Sequence, residues 1–377
     1  MKSSPLSSIW SAIVLFALAL AWTSHSWAAD NDRFARIVLF TATDASPPEN
    51  YEARLASLAL RTEAFFASGF DQWKRSVERS EIFARDANGK IEVTLVKGDL
   101  LQPKGRAALP EVRKKSVNGA TTQRGLRPNG PPVIWWIFYD YPEVKGFQGG
   151  ARGTGGIAIN AYPKGDDLID INTDLAEGVL NDMAIKGTIH EFGHALGLPH
   201  IGPRPALDLG NSLMGPINKS FWQKAQTDDA RVYLNEASAA ALWKHPVFRN
   251  EQSPNPKMPG DIKVENFDVT ESPDHEKVII RGILKTADTA HSVIVLDSER
   301  GQYGDYWCRS YLAPIDASTG KFEVTVSEPY AKGALFLSFG FDNGISTSDG
   351  KTIFQQSSSV SVNYEIKNGA RSFEKTE

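Results

Sequence analysis

Three of the seven histidines of this chain fall within one short run, His190-Glu191-Phe192-Gly193-His194-Ala195-Leu196-Gly197-Leu198-Pro199-His200. His190 and His194 stand four apart, so on a helix their imidazoles leave one face one turn apart, where two nitrogens can meet one ion. Gly197 lets the chain turn out of that helix, and His200 can then return as a third nitrogen ligand. Three neutral imidazoles around Zn²⁺ leave a fourth position for water, the arrangement of a catalytic rather than a closed structural site. Glu191 directly follows a ligand, which sets its carboxylate beside the water and off the metal. There it can take a proton as the water attacks a carbonyl and pass it to a leaving amine. A bare His-Glu-x-x-His arises often by accident. With 31 Gly and 7 His in 377 residues, requiring a Gly and a His at two further fixed positions multiplies those odds by about one in 650. The other histidines, His25, His245, His275 and His291, are dispersed.

The extended motif resembles that of the metzincin clan of zinc endopeptidases, and the HEFGHALGLPH segment looks most like the matrixin-like branch. The resemblance implies a methionine in a tight turn beneath the zinc, for which Met214 in Asn211-Ser212-Leu213-Met214-Gly215 is the candidate. It also implies an antiparallel edge strand that takes extended substrate by main-chain hydrogen bonds, a place matched by Ile157, Ala158, Ile159, Asn160 and Ala161. Phe221 and Trp222 are candidate walls of a specificity pocket. Asp166, Asp167 and Asp170 stand near where matrixins bind structural calcium, although three acids in a loop are more often simply solvated. The chain departs from the family pattern in three ways. No Tyr closely follows Met214, Ile201 assigns no branch, and no cysteine precedes the motif to act as a propeptide switch.

These residues need elements to position them. Asp174 with Glu177 three residues later reads as a capping box, and Leu175, Val179, Leu180, Met183 and Ile189 supply an apolar stripe. A helix is therefore expected over 175–196, stopped by Gly197 and Pro199. Upstream, 36–41 (RIVLFT) and 91–96 (IEVTLV) read as strands, and 133–139 (VIWWIFY) as a central strand buried on both faces. Asn50 is a plausible N-cap for a long amphipathic helix carrying Leu55, Leu58, Phe65, Phe66, Trp73 and Val77. Residues 97–132 are polar and rich in Gly, Pro and Arg, and read as a long surface connection. The glycines of 149–156 lack the Gly-Lys-Ser/Thr ending of a phosphate loop and read as a flexible loop. Residues 229–242 fit the family's C-terminal helix.

Beyond 249–260, a linker with three prolines, the pattern changes to strands only: 262–269, 277–284, 292–297, 305–312, 321–327, 334–341 and 357–366. The expected class is α+β, a metzincin-like mixed sheet with long helices over 29–250 and, after a linker at 251–261, an all-β immunoglobulin-like sandwich over 262–377. Within the sandwich, Tyr303, Tyr306 and Trp307 read as core packing more readily than as an exposed recognition patch, and Cys308 as a small buried hydrophobe.

The chain length agrees with two domains. With 41 basic and 45 acidic residues, a net of -4, there is no basic field of the kind that holds nucleic acid. A single cysteine excludes an intramolecular disulfide and a thiolate metal site. Lys2, the apolar run 12–22 (AIVLFALALAW) and Ser26-Trp27-Ala28 read as a signal peptide cleaved after Ala28. The run is too short to span a bilayer, so the mature chain is expected to be soluble and exported, secreted or periplasmic. The expected function is zinc-dependent hydrolysis of protein or peptide substrates. The rival is a non-catalytic surface-binding or adhesion protein with a structural zinc, against which the intact Glu191 speaks. A zinc hydrolase of a non-protein amide is a third reading.

Overall fold

Runs of β-branched and aromatic residues build the sheet that carries the site, in a computed structural model describing residues 34–376 apart from 101–103, 127–132, 153, 164, 166, 177–178, 181–182, 205–206, 208, 226–230, 251–258, 260–261 and 348–360. The segment expected as a signal peptide and most of the expected linker lie outside the described residues. In chain order the first half contains β1 (Arg36–Thr41), α1 (Tyr51–Gln72), β2 (Val93–Lys97), α2 (Leu109–Gln123), β3 (Ile134–Asp140), β4 (Gln148–Arg152) and β5 (Gly155–Ala161). A short hairpin, β6 (Val179–Leu180) and β7 (Met183–Ala184), leads into α3 (Ile185–Ala195). Then come β8 (Asn211–Ser212), α4 (Asn218–Lys224), β9 (Val232–Tyr233) and α5 (Glu236–Leu242).

The main sheet has the order β2-β1-β3-β5-β4. β1, β2, β3 and β5 run parallel and β4 antiparallel to β5. β3 is central, as its unbroken apolar run requires: Trp136 and Phe138 enter one apolar cluster, while Trp135, Ile137 and Tyr139 enter the other. α1 covers the first face through Leu55, Leu58, Phe65, Phe66 and Phe70. α2 covers the second through Leu109, Val112 and Ala120. A Cβ on Gly119 of α2 would stand 2.6 Å from Val96, so the glycine lets this helix lie close on β2.

Several expectations change. Residues 97–132 are not merely a connection, since α2 lies within them; its apolar stripe is narrow and the remainder of the helix is polar. Asn50 precedes α1 but does not cap it, because it adopts a left-handed backbone (φ 55°) and its side chain accepts no helix N–H. The helix expected over 175–196 begins at Ile185. Asp174 does accept an N–H, from Ala176 at 2.7 Å, but in a local turn ahead of the β6–β7 hairpin. The helix expected over 229–242 is only α5, capped by Asn235, whose side chain accepts from the Ser238 N–H at 2.7 Å; Val232 belongs instead to β9, which pairs with β8.

The described elements of the second half are β10 (Lys263–Glu271), β11 (Val278–Lys285), β12 (Ala290–Ser298), β13 (Arg309–Pro314), β14 (Lys321–Val326), β15 (Lys332–Phe341), β16 (Ser361–Lys367) and β17 (Ala370–Thr376). The sheets β10-β11-β14 and β13-β12-β15-β16-β17 are antiparallel and bury one shared cluster that includes Ile280, Val295, Val324 and Leu337. Helices and strands mix in the first half and, among the described residues, the regular elements of the second are strands, an α+β architecture. The strand expected from 305 starts at Arg309, which leaves 303–308 as a loop. The first-half core continues across the expected linker, joining Leu198, Ile201 and Met214 with Ile294, Leu296 and Cys308. Among the described residues no helix is long and apolar enough to cross a membrane.

Candidate metal centre

α3 is fixed from below by Phe192, whose ring packs 4.9 Å from Trp136, 5.2 Å from Phe83 and 6.3 Å from Phe66. That burial turns the opposite face, with His190 and His194, away from the core. β4 and β5 lie close against the same helix. A Cβ on Gly149 would stand 2.3 Å from the Glu191 carbonyl oxygen, and one on Gly156 would stand 2.0 Å from that of Ala195. The glycine-rich segment is therefore the sheet hairpin on which the helix rests rather than a flexible loop. Gly197 takes a left-handed conformation (φ 94°), and the Leu198 N–H donates to the Gly193 carbonyl at 3.0 Å, closing α3 with a six-residue turn. His200 is thereby returned toward the helix.

The three imidazoles converge. Their ring centroids are 4.6 Å (His190–His194), 4.7 Å (His194–His200) and 5.2 Å (His190–His200) apart, and one nitrogen from each lies within 4.8 Å of the others. Each Nδ1 is occupied by a main-chain carbonyl: Leu213 for His190 at 2.9 Å, Leu198 for His194 at 2.7 Å and Gly304 for His200 at 2.7 Å. With Nδ1–H donating, each Nε2 presents a lone pair, and those of His194 and His200 are 3.1 Å apart. Burial pushes the pKa of all three down, to about 4 for His194. The neutral, ligating form is thus favoured. Lone pairs packed so closely call for a cation between them, so the donor set fits a metal ion. Among the described residues this is the one His/Cys/Asp/Glu group able to hold one.

Glu191 is 5% exposed, and burial pushes its carboxyl up to about 7, opposed by the charge of Arg106. Met214 is fully buried beneath α3; a Cβ on Gly193 would stand 2.6 Å from its Sδ. The Met214 segment is tied to the chain after His200: the Ile201 N–H donates to the Met214 carbonyl at 3.1 Å, and the Ser212 hydroxyl donates to the Ile201 carbonyl at 2.6 Å. Lys186, buried at the start of α3, braces the same segment by donating to Asn211 Oδ1 at 2.7 Å and the Pro216 carbonyl at 2.6 Å.

The substrate strand expected at Ile157, Ala158, Ile159, Asn160 and Ala161 is not an edge. These residues form most of β5, which is paired on one side with β3 and on the other with β4. β4 is the edge on that side of the sheet, as β2 is on the other. Phe221 is fully buried and faces Trp307 with ring centroids 6.3 Å apart, so it supports the site from behind, whereas Trp222 is exposed. Of the acids weighed for calcium, Asp166 lies outside the described residues; Asp167 and Asp170 are exposed, and Asp170 accepts the Asn172 N–H.

Residues of the second half complete the centre. Gly304 orients His200, and Tyr306 stacks on the His200 ring with centroids 3.8 Å apart. Tyr306 is 39% exposed and lies 6.0 Å from the His190 ring. Burial pushes the pKa of its hydroxyl up, with the charge of Glu191 adding to the rise and that of the exposed Arg106 opposing it. Neither Arg106 nor Gly304 carries a local signature, and Tyr306 is separated from the motif by more than 100 residues.

The sequence matches no protein-family profile and no curated protein. Among solved structures the fold is similar to wild-type OgpA from Akkermansia muciniphila, with TM-scores of 0.64 and 0.65 in two crystal forms at 17% and 18% identity. It is equally similar, with a TM-score of 0.64 at 16% identity, to catalytically inactive OgpA in complex with an O-glycopeptide substrate, glycodrosocin. Each alignment covers 92% of this chain and 96% of OgpA, so the likeness of fold extends over both halves.

Proposed function

We propose that this chain is an exported, zinc-dependent endopeptidase of metzincin-like type. Residues 1–28 would be its signal peptide, 29–250 the zinc-binding unit and 262–377 an immunoglobulin-like sandwich joined through 251–261. The observation that carries the reading is the convergence of three imidazoles, each with its outer nitrogen fixed by a carbonyl, next to a buried Glu191. His190, His194 and His200 would hold the zinc. When bound, zinc supplies polarisation of the scissile carbonyl and a lowered pKa for the attacking water. Glu191 takes one proton from that water as the oxygen–carbon bond forms. It returns the proton to the amide nitrogen as the carbon–nitrogen bond breaks, so the carboxylate ends as it began. Met214 and Lys186 keep the floor beneath the ligands rigid.

The likeness in fold to OgpA, one form of which is captured with an O-glycopeptide, supports a peptide substrate and makes a glycosylated peptide the first to test. Matched peptide libraries with and without O-linked sugars, digested by protein of measured metal content, test the proposal. Turnover that stops with a chelator and returns with Zn²⁺ is expected. Metal-loaded protein that cuts neither library would instead favour the adhesion reading. Glu191→Ala should keep its metal and lose hydrolysis by several orders of magnitude, and full activity in that variant removes Glu191 from the mechanism.

A further inference from the structure

We propose that Tyr306, delivered by the loop before β13, is a catalytic residue whose hydroxyl donates a hydrogen bond to the scissile carbonyl oxygen as that oxygen gains negative charge. The inference rests on the endopeptidase reading and adds a residue to it. Two observations support it. First, the ring lies on His200 at 3.8 Å with 26° between the planes, and at 6.0 Å from His190, so Tyr306 overlies two of the three rings of the centre. Second, Tyr306 remains 39% exposed although its neighbours Trp307 and Cys308 are turned inward. A tyrosine needed only as packing would be buried like its neighbours, whereas this side chain stays accessible from solvent beside the three imidazoles.

The loop is held to present this side chain. The Gly304 carbonyl accepts from His200 Nδ1 at 2.7 Å, the Trp307 N–H donates to Asp305 Oδ1 at 3.1 Å, and the Gly202 N–H donates to the Cys308 carbonyl at 2.7 Å. A Cβ on Gly202 would stand 2.7 Å from Trp307 backbone atoms, so only glycine permits this approach of loop to core. A preorganised donor aimed where charge develops acts on the rate and not on ground-state affinity.

The test compares wild type with Tyr306→Phe, which preserves the stacked ring and removes the hydroxyl, and with Tyr306→Ala, which removes both. Tyr306→Phe should retain full metal content and a KM within about threefold of wild type, while kcat falls about 100-fold, the usual effect of deleting one such donor. Independently of turnover, a phosphinic peptide that imitates the charged tetrahedral state should bind Tyr306→Phe more than tenfold weaker, and the cleaved product peptide should bind equally to both. Tyr306→Ala should in addition hold its metal less tightly, because His200 loses its cover. Undiminished kcat in Tyr306→Phe, a rise in KM alone, or loss of metal from that variant would each overturn the role given to the hydroxyl. Absence of any wild-type turnover instead sinks the endopeptidase reading itself, which separates the two failures.

Discussion

A histidine has two ring nitrogens, and in this centre one of each pair is committed to the main chain. The carbonyls of Leu213, Leu198 and Gly304 accept hydrogen bonds from Nδ1–H of His190, His194 and His200, which leaves three Nε2 lone pairs facing one another without a proton to share. An ion there stabilises the folded chain by mass action, about 2.7 kcal/mol at a free concentration one hundred times its dissociation constant. Chelation should accordingly lower the unfolding temperature and readdition restore it, whereas His200→Ala should show no such response in scanning calorimetry. A second buried group gives a pH prediction. Asp297 accepts from the Tyr364 hydroxyl at 2.7 Å, and burial pushes its carboxyl up to about 6. The folded chain therefore holds this proton more tightly than the unfolded chain, whose aspartates titrate near 3.9. The resulting stability is fully present below pH ~4 and is lost as pH rises through about 6, to an extent on the order of 3 kcal/mol. Asp297→Asn keeps an acceptor for Tyr364 and has no proton to lose. The stability difference between wild type and variant, measured by urea unfolding from pH 4 to 8, should fall across that window; parallel curves would show that Asp297 does not titrate there.

At the level of elements, the hairpin β4–β5 and the helix α3 are matched by glycine. Gly156→Ala would place a methyl 2.0 Å from the Ala195 carbonyl oxygen, an obstacle of main chain that cannot swing aside. The expected cost is at least the ~1–3 kcal/mol of an overpacked core. Gly150→Ala, with nothing within 4 Å, should stay within about 0.5 kcal/mol of wild type. Chemical unfolding of the two variants tells them apart, and equal stabilities would mean that the contact is not a tight one. Elements whose signals are local were legible in the sequence: β3 from its apolar run, α1 from its periodicity, and the convergence of His190, His194 and His200 from their fixed spacing along the end of α3 and the turn that follows it. Where two local signals compete, the reading fails. Asp174 makes the short side-chain bond of a cap, yet the same bond suits a turn, and the hairpin that follows delays α3 to Ile185. α2 escaped because its buried stripe has only four residues, Leu109, Val112, Ser116 and Ala120, and the last two are too small or too polar to register as apolar periodicity. The edge of the sheet was misplaced because glycines that serve a close helix look, in isolation, like those of a loop.

Across the whole molecule, the two halves share a core and both contribute to the candidate metal centre. Leu296 and Cys308 pack with Leu198 and Met214, and the loop 303–308 orients His200. No spacing rule joins residues 200 and 304, so the contribution of Gly304 and Tyr306 could not be read from the chain. Calorimetry should show one cooperative transition for the full protein, and a chain ending at 250 should bind metal weakly and aggregate, its apolar face uncovered. Two separate transitions, or a truncated form that remains soluble and metal-loaded, would contradict this interdependence. The hydrogen bond from His200 to Gly304 spans 104 residues. At about 5–20 residues per second, a ribosome needs roughly 5–20 s to travel that distance. On the endopeptidase reading proposed above, the third imidazole is aligned only after the late segment has emerged and docked, so the order of synthesis itself would postpone assembly of the cutting machinery.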